Sequence, residues 1–445
     1  MTTTNDPLHP QYFDDAHHRE ELNRVFDLCP GCRRCFKFCE SLPNRLPAGH
    51  QHDDQDTSKM TRAEQDAVVD DCWQCKLCYV NCPYIPELHE WDLDFPRLMM
   101  RAEQVRFRDE KRSVHTKLTD QALGNTDLVG KLNTAVAPLA NKAIGTPEST
   151  IRTLMQKTVG IAAKRVLPPY NRTRFSTWFR KRQAARVAEK QATAVLFPTC
   201  IVEYQAASVG RALVDVYEHN GIECVLPEGQ VCCGAPFLHQ GDVERFRKNA
   251  HTNIHVLSQA IRDAEARGEE VTIVAPQPTC GYVLKKDYVD YVGGPAAELV
   301  ASHTMDSSEY LWDRIHKGDD TELDLEFPGE VPESIAYHAP CHLRAQNVGL
   351  KSRDLLKKTG AKVTVVAECS AIDGTWGRRE ENYDTARKYS AKLGRAREKA
   401  DAEALAGDCN LANGGIVEEV GTQPSHPMEF LARAYGIEDS VEGQS

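Results

Sequence analysis

Two cysteine runs of identical spacing, Cys29, Cys32, Cys35, Cys39 and then Cys72, Cys75, Cys78, Cys82, constrain this chain more than any other feature. Both read C-x2-C-x2-C-x3-C, and Pro83 follows the second. A cubane iron–sulfur cluster needs four thiolates converging on a small volume; this spacing supplies three from one tight loop and a fourth from elsewhere. In the two-cluster arrangement the last cysteine of each run crosses over. This predicts Cys29, Cys32, Cys35 and Cys82 around one [4Fe-4S] cluster, and Cys72, Cys75, Cys78 and Cys39 around a second. Zinc is the competing occupant, but structural zinc sites pair two short knuckles across a longer gap, whereas each run here places four cysteines within eleven residues. Disulfides fit less well, because the leading MTTTNDPLHPQYFDD is polar and acidic, with no apolar signal segment. The expected compartment is therefore reducing and cytoplasmic. Glu40, not proline, follows Cys39, with an expected effect on local backbone and cluster charge only.

At 445 residues the chain has room for two or three domains, and no stretch of about eighteen apolar residues spans a bilayer as a helix. The net charge of -11 argues against nucleic acid as the main ligand, since phosphate binding needs a basic footprint. Residues 141–190 reverse that balance, with twelve Lys or Arg against Glu148 and Glu189. Within them Ile151, Leu154, Met155, Val159, Ala162 and Val166 recur at helical spacing, predicting an amphipathic helix with a basic far side. Two readings stand: a docking face for anionic lipid or an acidic partner, giving peripheral association with the cytoplasmic face of a membrane, or a solvated connector packed on its own domain.

The predicted domains are a helical two-cluster ferredoxin-like unit over 15–110, with Thr61 as a helix N-cap, and a basic helical connector over 111–190 broken by Pro138, Pro147 and Pro168-Pro169. From residue 192 the texture changes. Strands are expected at 194–198, 222–227 and 271–276 with helices at 204–219 and 242–267, a βαβ rhythm implying a parallel sheet. The rhythm returns as strands at 334–340 and 362–368 and helices near 344–359 and 380–406, so 192–300 and 333–432 read as an α/β duplication. Cysteines fall at matching places: Cys200 and Cys341 after the first strand of each half, Cys232-Cys233 and Cys369-Ser370 after the second, Cys280 and Cys409 after the third unit. Ligands in open α/β sheets bind beyond the carboxyl ends of strands, so each half brings its cysteines to one rim, as a cluster or active site requires. Cys224, inside its strand, reads as core.

At these residues the chain resembles the heterodisulfide reductase-related iron–sulfur subunits, the family that includes the C subunit of anaerobic glycerol-3-phosphate dehydrogenase and the glycolate oxidase iron–sulfur subunit. The resemblance rests on DLCPGCRRCFKFC, DDCWQCKLCYVNCP, VCCG at 231–234, PTCGY at 278–282, YHAPCHLRAQ at 337–346 and ECSAIDGTWG at 368–377. It implies a dicluster ferredoxin module feeding two cysteine-rich, CCG-type repeats, which in some members hold further clusters and touch the final acceptor. The full five-cysteine repeat is not kept: Val283, Ser370 and Ala412 stand at cysteine positions. The first half retains Cys200, Cys232, Cys233 and Cys280 as candidate ligands of one additional cluster. The second retains Cys341, Cys369 and Cys409, for a cluster with a non-cysteine ligand, a reactive dithiol, or nothing. His338 and His342 flank Cys341 as candidate ligands or proton donors, and with Cys341 and Cys369 they are the candidate catalytic residues. Asp373 and Arg344 belong to the same rim.

There is no G-x-G-x-x-G after a strand and no G-x-x-x-x-G-K-[ST], so no flavin or nucleotide is expected in this chain. One-electron clusters take no hydride from an organic substrate, so a flavoprotein dehydrogenase or other redox partner must pass electrons in. The expected function is an electron-transfer component of a multi-subunit oxidoreductase, relaying electrons through two [4Fe-4S] clusters to quinone, thiol or another carrier. The alternatives are a disulfide or persulfide reductase using the C-terminal cysteines, and a ferredoxin tethered to a metal-free docking module.

Overall fold

The short apolar runs of the C-terminal half become two parallel sheets in a computed structural model, which describes residues 6–39, 41, 57–182, 192–316 and 323–437. The first sheet contains β1 (Ala192–Leu196), β2 (Ile222–Val225), β3 (Val271–Ala275) and β4 (Thr304–Asp306) in the order β2-β1-β3-β4. The second contains β5 (Ser334–His338), β6 (Lys362–Val366) and β7 (Ala404–Gly407) in the order β6-β5-β7. The order β2-β1-β3 repeats as β6-β5-β7, so the internal duplication shows in topology. Every residue of β1 and β3 is buried, as central strands covered on both faces must be. Edge strand β6 keeps only Val366 buried.

The two halves interlock. Helix Pro427–Ala434, which closes the second repeat, contributes Met428, Leu431 and Ala432 to the apolar cluster around Ala207–His219 of the first. At the seam between the halves, Ser352 Oγ and Ser308 Oγ lie 2.8 Å apart. Asp408 accepts from both Ser352 and Tyr337.

In 15–110 all regular structure among the described residues is helical: Asp15–Cys32, Thr57–Lys59, Arg62–Asp70, Leu77–Asn81 and Phe95–Asp109. Thr61 caps Arg62–Asp70 in a reciprocal capping box with Glu64. Leu22, Val25, Phe26, Val68, Leu98 and Met99 form the core, and Ala371, Trp376, Ala386 and Tyr389 of the second repeat join the same cluster. Trp73 meets Trp376 edge-on at 5.0 Å and Tyr389 at 4.8 Å between ring centroids. The N-terminal unit is thus packed onto the second repeat.

Two sequence expectations change. The helix read over 151–166 stops at Val159, because Gly160 takes φ 61° and donates to Gln156 O; Ala162 and Val166 lie beyond it. Part of the basic far side is also spent within the chain. Arg152 is buried and donates to the carbonyls of Ile144, Ala162 and Arg165. Arg165 pairs with Glu418, Arg174 with Glu203, Arg180 with Glu228 and Arg182 with Glu218. Glu40, Arg186, Glu189 and Lys190 lie outside the described residues.

His18 is fully buried, neither ring nitrogen has a partner, and burial beside Arg19 and Arg101 pulls it down to about 3. The fold holds it neutral, whereas the unfolded chain takes a proton below about pH 6.5. Stability is therefore complete above that pH and lost as pH falls toward about 3. At pH 5 the loss from this one group is about 2 kcal/mol. Urea unfolding at pH 7.5 and pH 5 is expected to show a smaller drop in His18→Leu than in the parent; equal drops would remove His18 as the cause.

Candidate functional site

In each repeat the cysteines leave the carboxyl ends of parallel strands. β1 runs through Thr199, a β-branched residue held at φ 68°, into Cys200 on helix Thr199–Tyr204. Cys232 and Cys233 lie in the loop after β2. That loop is clamped by Asn253, whose side chain accepts from Val231 N at 2.9 Å and donates to Val231 O at 3.0 Å, and by Asp127, which accepts from Cys232 N at 2.7 Å. Cys280 follows β3 on helix Pro278–Tyr282. Cys341 opens helix Cys341–Ala345 after β5, Cys369 follows β6, and Cys409 caps helix Asn410–Val420 after β7.

All seven of these thiols, with Cys75 of the second N-terminal run, line one cavity of about 440 Å³ between the N-terminal unit and both repeats. Within it the first-repeat thiols adjoin one another: Cys280 Sγ lies 3.3 Å from Cys233 Sγ, and Cys232 receives hydrogen bonds from Cys200 and Cys233. Those donors hold Cys232 well below the ordinary thiol range, while Cys200 and Cys233, which supply them, are raised. Cys341 feels Cys75, Cys369 and Cys409 as neighbours, though burial is the larger cause of its raised value. Cys224 points into the apolar cluster with Tyr217 and Phe175, away from the cavity.

The N-terminal thiols form two further groups. Cys29 and Cys32 occupy the last turn of Asp15–Cys32, which Arg33 ends at φ 56°. With Cys35 and Cys82 they line a small cavity walled by Val25, Leu28 and Phe95. Burial pushes Cys29 and Cys35 up to about 12; Cys29 also feels Cys35, Cys82 and Cys32 as negative neighbours, and Cys35 feels Cys82, Cys32 and, from the other group, Cys75. Cys75 sits between Gln74 and Lys76, both with positive φ, in the turn that separates Cys72 from Cys78. Burial pushes Cys72 up to about 12 and raises Cys78 well above the ordinary thiol range, with Cys75, Cys72, Cys39 and Cys35 as further negative neighbours of Cys78. The groups touch: Cys35 Sγ lies 3.5 Å from Cys78 O, and Cys75 reaches the central cavity.

Buried thiols of raised pKa are neutral and inert by themselves; they become ligands when a metal supplies the positive charge that burial withholds. Among the described residues no three His, Cys, Asp or Glu close on a single ion-sized point. The sulfurs instead surround cavities, which suits a multi-iron cluster.

The flanking residues separate by hydrogen bonding. His342 Nε2–H donates to Gln74 O at 3.1 Å and its Nδ1 accepts from Thr279 at 2.9 Å, so both nitrogens are engaged. His338 Nε2–H donates to Glu368 O at 3.1 Å, leaving Nδ1 as a buried acceptor without a partner; burial pulls this histidine down to about 4. Arg344 donates to Ala367 O at 2.9 Å and borders the cavity. Asp373, at φ 38° between Ala371 and Gly374 of the same sense, lies 3.5 Å from His239 Nδ1. His239 was not legible as a site residue. It ends helix Ala235–His239 just after the VCCG turn, which was the available signal, and with Asp373 it borders both the cysteine cavity and a polar cavity of about 480 Å³.

Residues 194–285 and 335–411 match the cysteine-rich (CCG) domain family, and 21–115 match the 4Fe-4S dicluster domain. Over 331 residues the chain is 28% identical to the C subunit of anaerobic glycerol-3-phosphate dehydrogenase from Escherichia coli (strain K12), covering 74% of this chain and 80% of that protein. It is 35% identical over 161 residues to the B subunit of fumarate reductase (CoM/CoB) from Methanothermobacter marburgensis, 36% of this chain and 28% of that one. It is 33% identical over 153 residues to lactate utilization protein A of an Exiguobacterium species, 33% of this chain and 56% of the relative.

Proposed function

We propose that this heterodisulfide reductase-related iron–sulfur protein, homologous to the C subunit of anaerobic glycerol-3-phosphate dehydrogenase, is part of an oxidoreductase and relays electrons from a flavoprotein dehydrogenase to quinone, thiol or another carrier. The observation that carries this reading is Cys75, which belongs to the second N-terminal thiol group and also faces the cavity of the seven repeat cysteines. Bound clusters would supply one-electron relay without proton or hydride chemistry. Cys29, Cys32, Cys35 and Cys82 hold the first [4Fe-4S] cluster in this account, and Cys72, Cys75, Cys78 and Cys39 the second. Cys200, Cys232, Cys233 and Cys280 hold a third. In the second repeat, Cys341, Cys369 and Cys409 offer three sulfurs, and His338, whose Nδ1 has no partner and which lines the same cavity, is the non-cysteine ligand in this account. Trp73, Trp376 and Tyr389 fix the N-terminal unit against this rim, so the spacing between thiol groups is set by packing.

Anaerobic purification from the native host tests the reading. A flavoprotein dehydrogenase is expected to co-purify and to bleach the iron–sulfur absorption when given its substrate. Isolation without any redox partner, from cells in which the chain's operating substrate is being oxidised, would overturn it.

A further inference from the structure

Lys76 stands between Cys75 and Cys78 and is 5% exposed. Lysine is almost never buried this far unless a carboxylate pairs with it, and among the described residues none pairs with this one. Its Nζ donates to Gln74 O at 3.4 Å, lies 3.5 Å from His342 Nε2 and stands 4.9 Å from the centre of the Tyr282 ring. One ammonium thus sits at the junction of three thiol sites. Lys76 adjoins Cys75, His342 adjoins Cys341 of the second repeat, and Tyr282 follows Cys280 of the first by two residues. Nothing local calls for a cation here. Lys76 takes φ 61°, two residues after Gln74 at φ 51°, and it precedes the N-terminus of helix Leu77–Asn81, the end that favours anions. The carboxyls that sense it, Asp94 and Asp287, are buried and raised by that burial, and Asp94 is already paired with Arg97 at 3.3 Å.

We propose that the buried charge of Lys76 sets the reduction potential of the cluster held by Cys72, Cys75, Cys78 and Cys39, raising it above that of the cluster held by Cys29, Cys32, Cys35 and Cys82. The proposal rests on the electron-relay reading and names a residue that gives the relay its direction. A cubane held by four thiolates is a net anion and gains one more negative charge on reduction, so a fixed cation nearby favours the reduced form. Burial keeps that field from being screened. It reaches the second thiol group, where the Lys76 charge works against the burial that raises Cys72 and Cys75. The cations that act on Cys29, Cys35 and Cys82 are Arg24 and Arg34 instead; Arg24 is paired with Glu21, and Arg34 is exposed to solvent. The second group is also the one that meets the repeat cysteines, through Cys75. A higher potential there draws an electron from the first cluster toward the repeats and opposes its return. Lys76 acts through the cluster as a positioning charge and takes no part in bond making.

The test is a redox titration of the full chain, purified without oxygen and poised with a chemical reductant and mediators, followed by electron paramagnetic resonance. No partner is needed. The signal lost in Cys82→Ser marks the first cluster, and in the parent the second is expected to titrate at the higher potential. Lys76→Met keeps the length of the stem and removes the charge. Its second cluster is expected to show a reduced-to-oxidised ratio at least about tenfold lower at a given potential, a midpoint lower by about 59 mV or more for one electron, while the first cluster moves much less. Lys76→Arg, which keeps the charge, is expected to stay with the parent. Should Lys76→Met lose iron, Lys76→Gln, which can still donate to Gln74 O, carries the same expectation. Iron content and the unfolding midpoint of each variant separate charge from packing: a merely structural lysine would lower stability and leave the potential where it was. A loaded neutral variant whose second midpoint does not move, or equal shifts in both clusters, overturns this proposal alone. A parent without clusters would overturn the electron-relay reading and this proposal together.

Discussion

Replacing Cys82 with Ser is expected to remove about four irons per chain, one cubane's worth, while Cys224→Ser leaves iron content unchanged. Cys82 follows helix Leu77–Asn81, its sulfur accepting from Tyr84 N at 3.4 Å, and it shares an apolar-walled cavity with Cys29, Cys32 and Cys35 of the other run. Its loss leaves three sulfurs where four are needed. Loss of groups that merely support a ligand costs roughly 10–100-fold in affinity or activity, so loss of the ligand itself should stop transfer from the partner more completely. Cys224 is paired with Ala194 in the sheet and buried among apolar side chains; its hydroxyl replacement costs stability, about 1–3 kcal/mol, without touching a cluster. Iron and sulfide analysis of both variants, with electron paramagnetic resonance after reduction, reads the difference. Equal iron loss in the two would contradict the ligand assignment.

Trp376→Ala is expected to be the most damaging substitution outside the cysteines. Trp376 packs against Trp73, and its Nε1–H donates to Asp70 O at 2.8 Å, so it joins the second repeat to the N-terminal unit through both an aromatic contact and a hydrogen bond. Truncating a buried tryptophan costs about 3–5 kcal/mol. That loss falls on the contact which keeps Cys75 at the central cavity. The expected phenotype is a full complement of iron at the two N-terminal sites with slowed delivery of electrons to the acceptor, together with a lower denaturation midpoint. Unchanged turnover with the natural acceptor would show that this docking does not set the relay distance.

The legible parts of the molecule were those whose signal is local. The C-x2-C-x2-C-x3-C spacing carries its geometry within eleven residues, and strands such as VTIVA are apolar on both faces because both faces are covered. The helix stop at Gly160 was not read, because the apolar period running on to Val166 masked it. β4 (TMD) and β7 (ALAG) were not, since three or four residues of weak strand preference become strands only through a neighbour already in place. Ala404 and Leu405 even extend the helical pattern of 383–400. What sequence could not give was distance. The partners of Arg165 and Arg182 are Glu418 and Glu218, and the meeting of Cys75 with Cys341 joins residues from different domains. The same holds for His239, unremarkable until the fold sets it beside Asp373.

The most direct test of an electron relay built on these thiols is metal analysis of the full chain purified without oxygen. The account predicts brown protein with about twelve irons per chain, eight in the N-terminal unit and four in the first repeat, by cluster stoichiometry. About eight would confine the relay to the N-terminal unit and leave the repeats without metal. Colourless protein, or protein carrying zinc in place of iron, would contradict the account at its root.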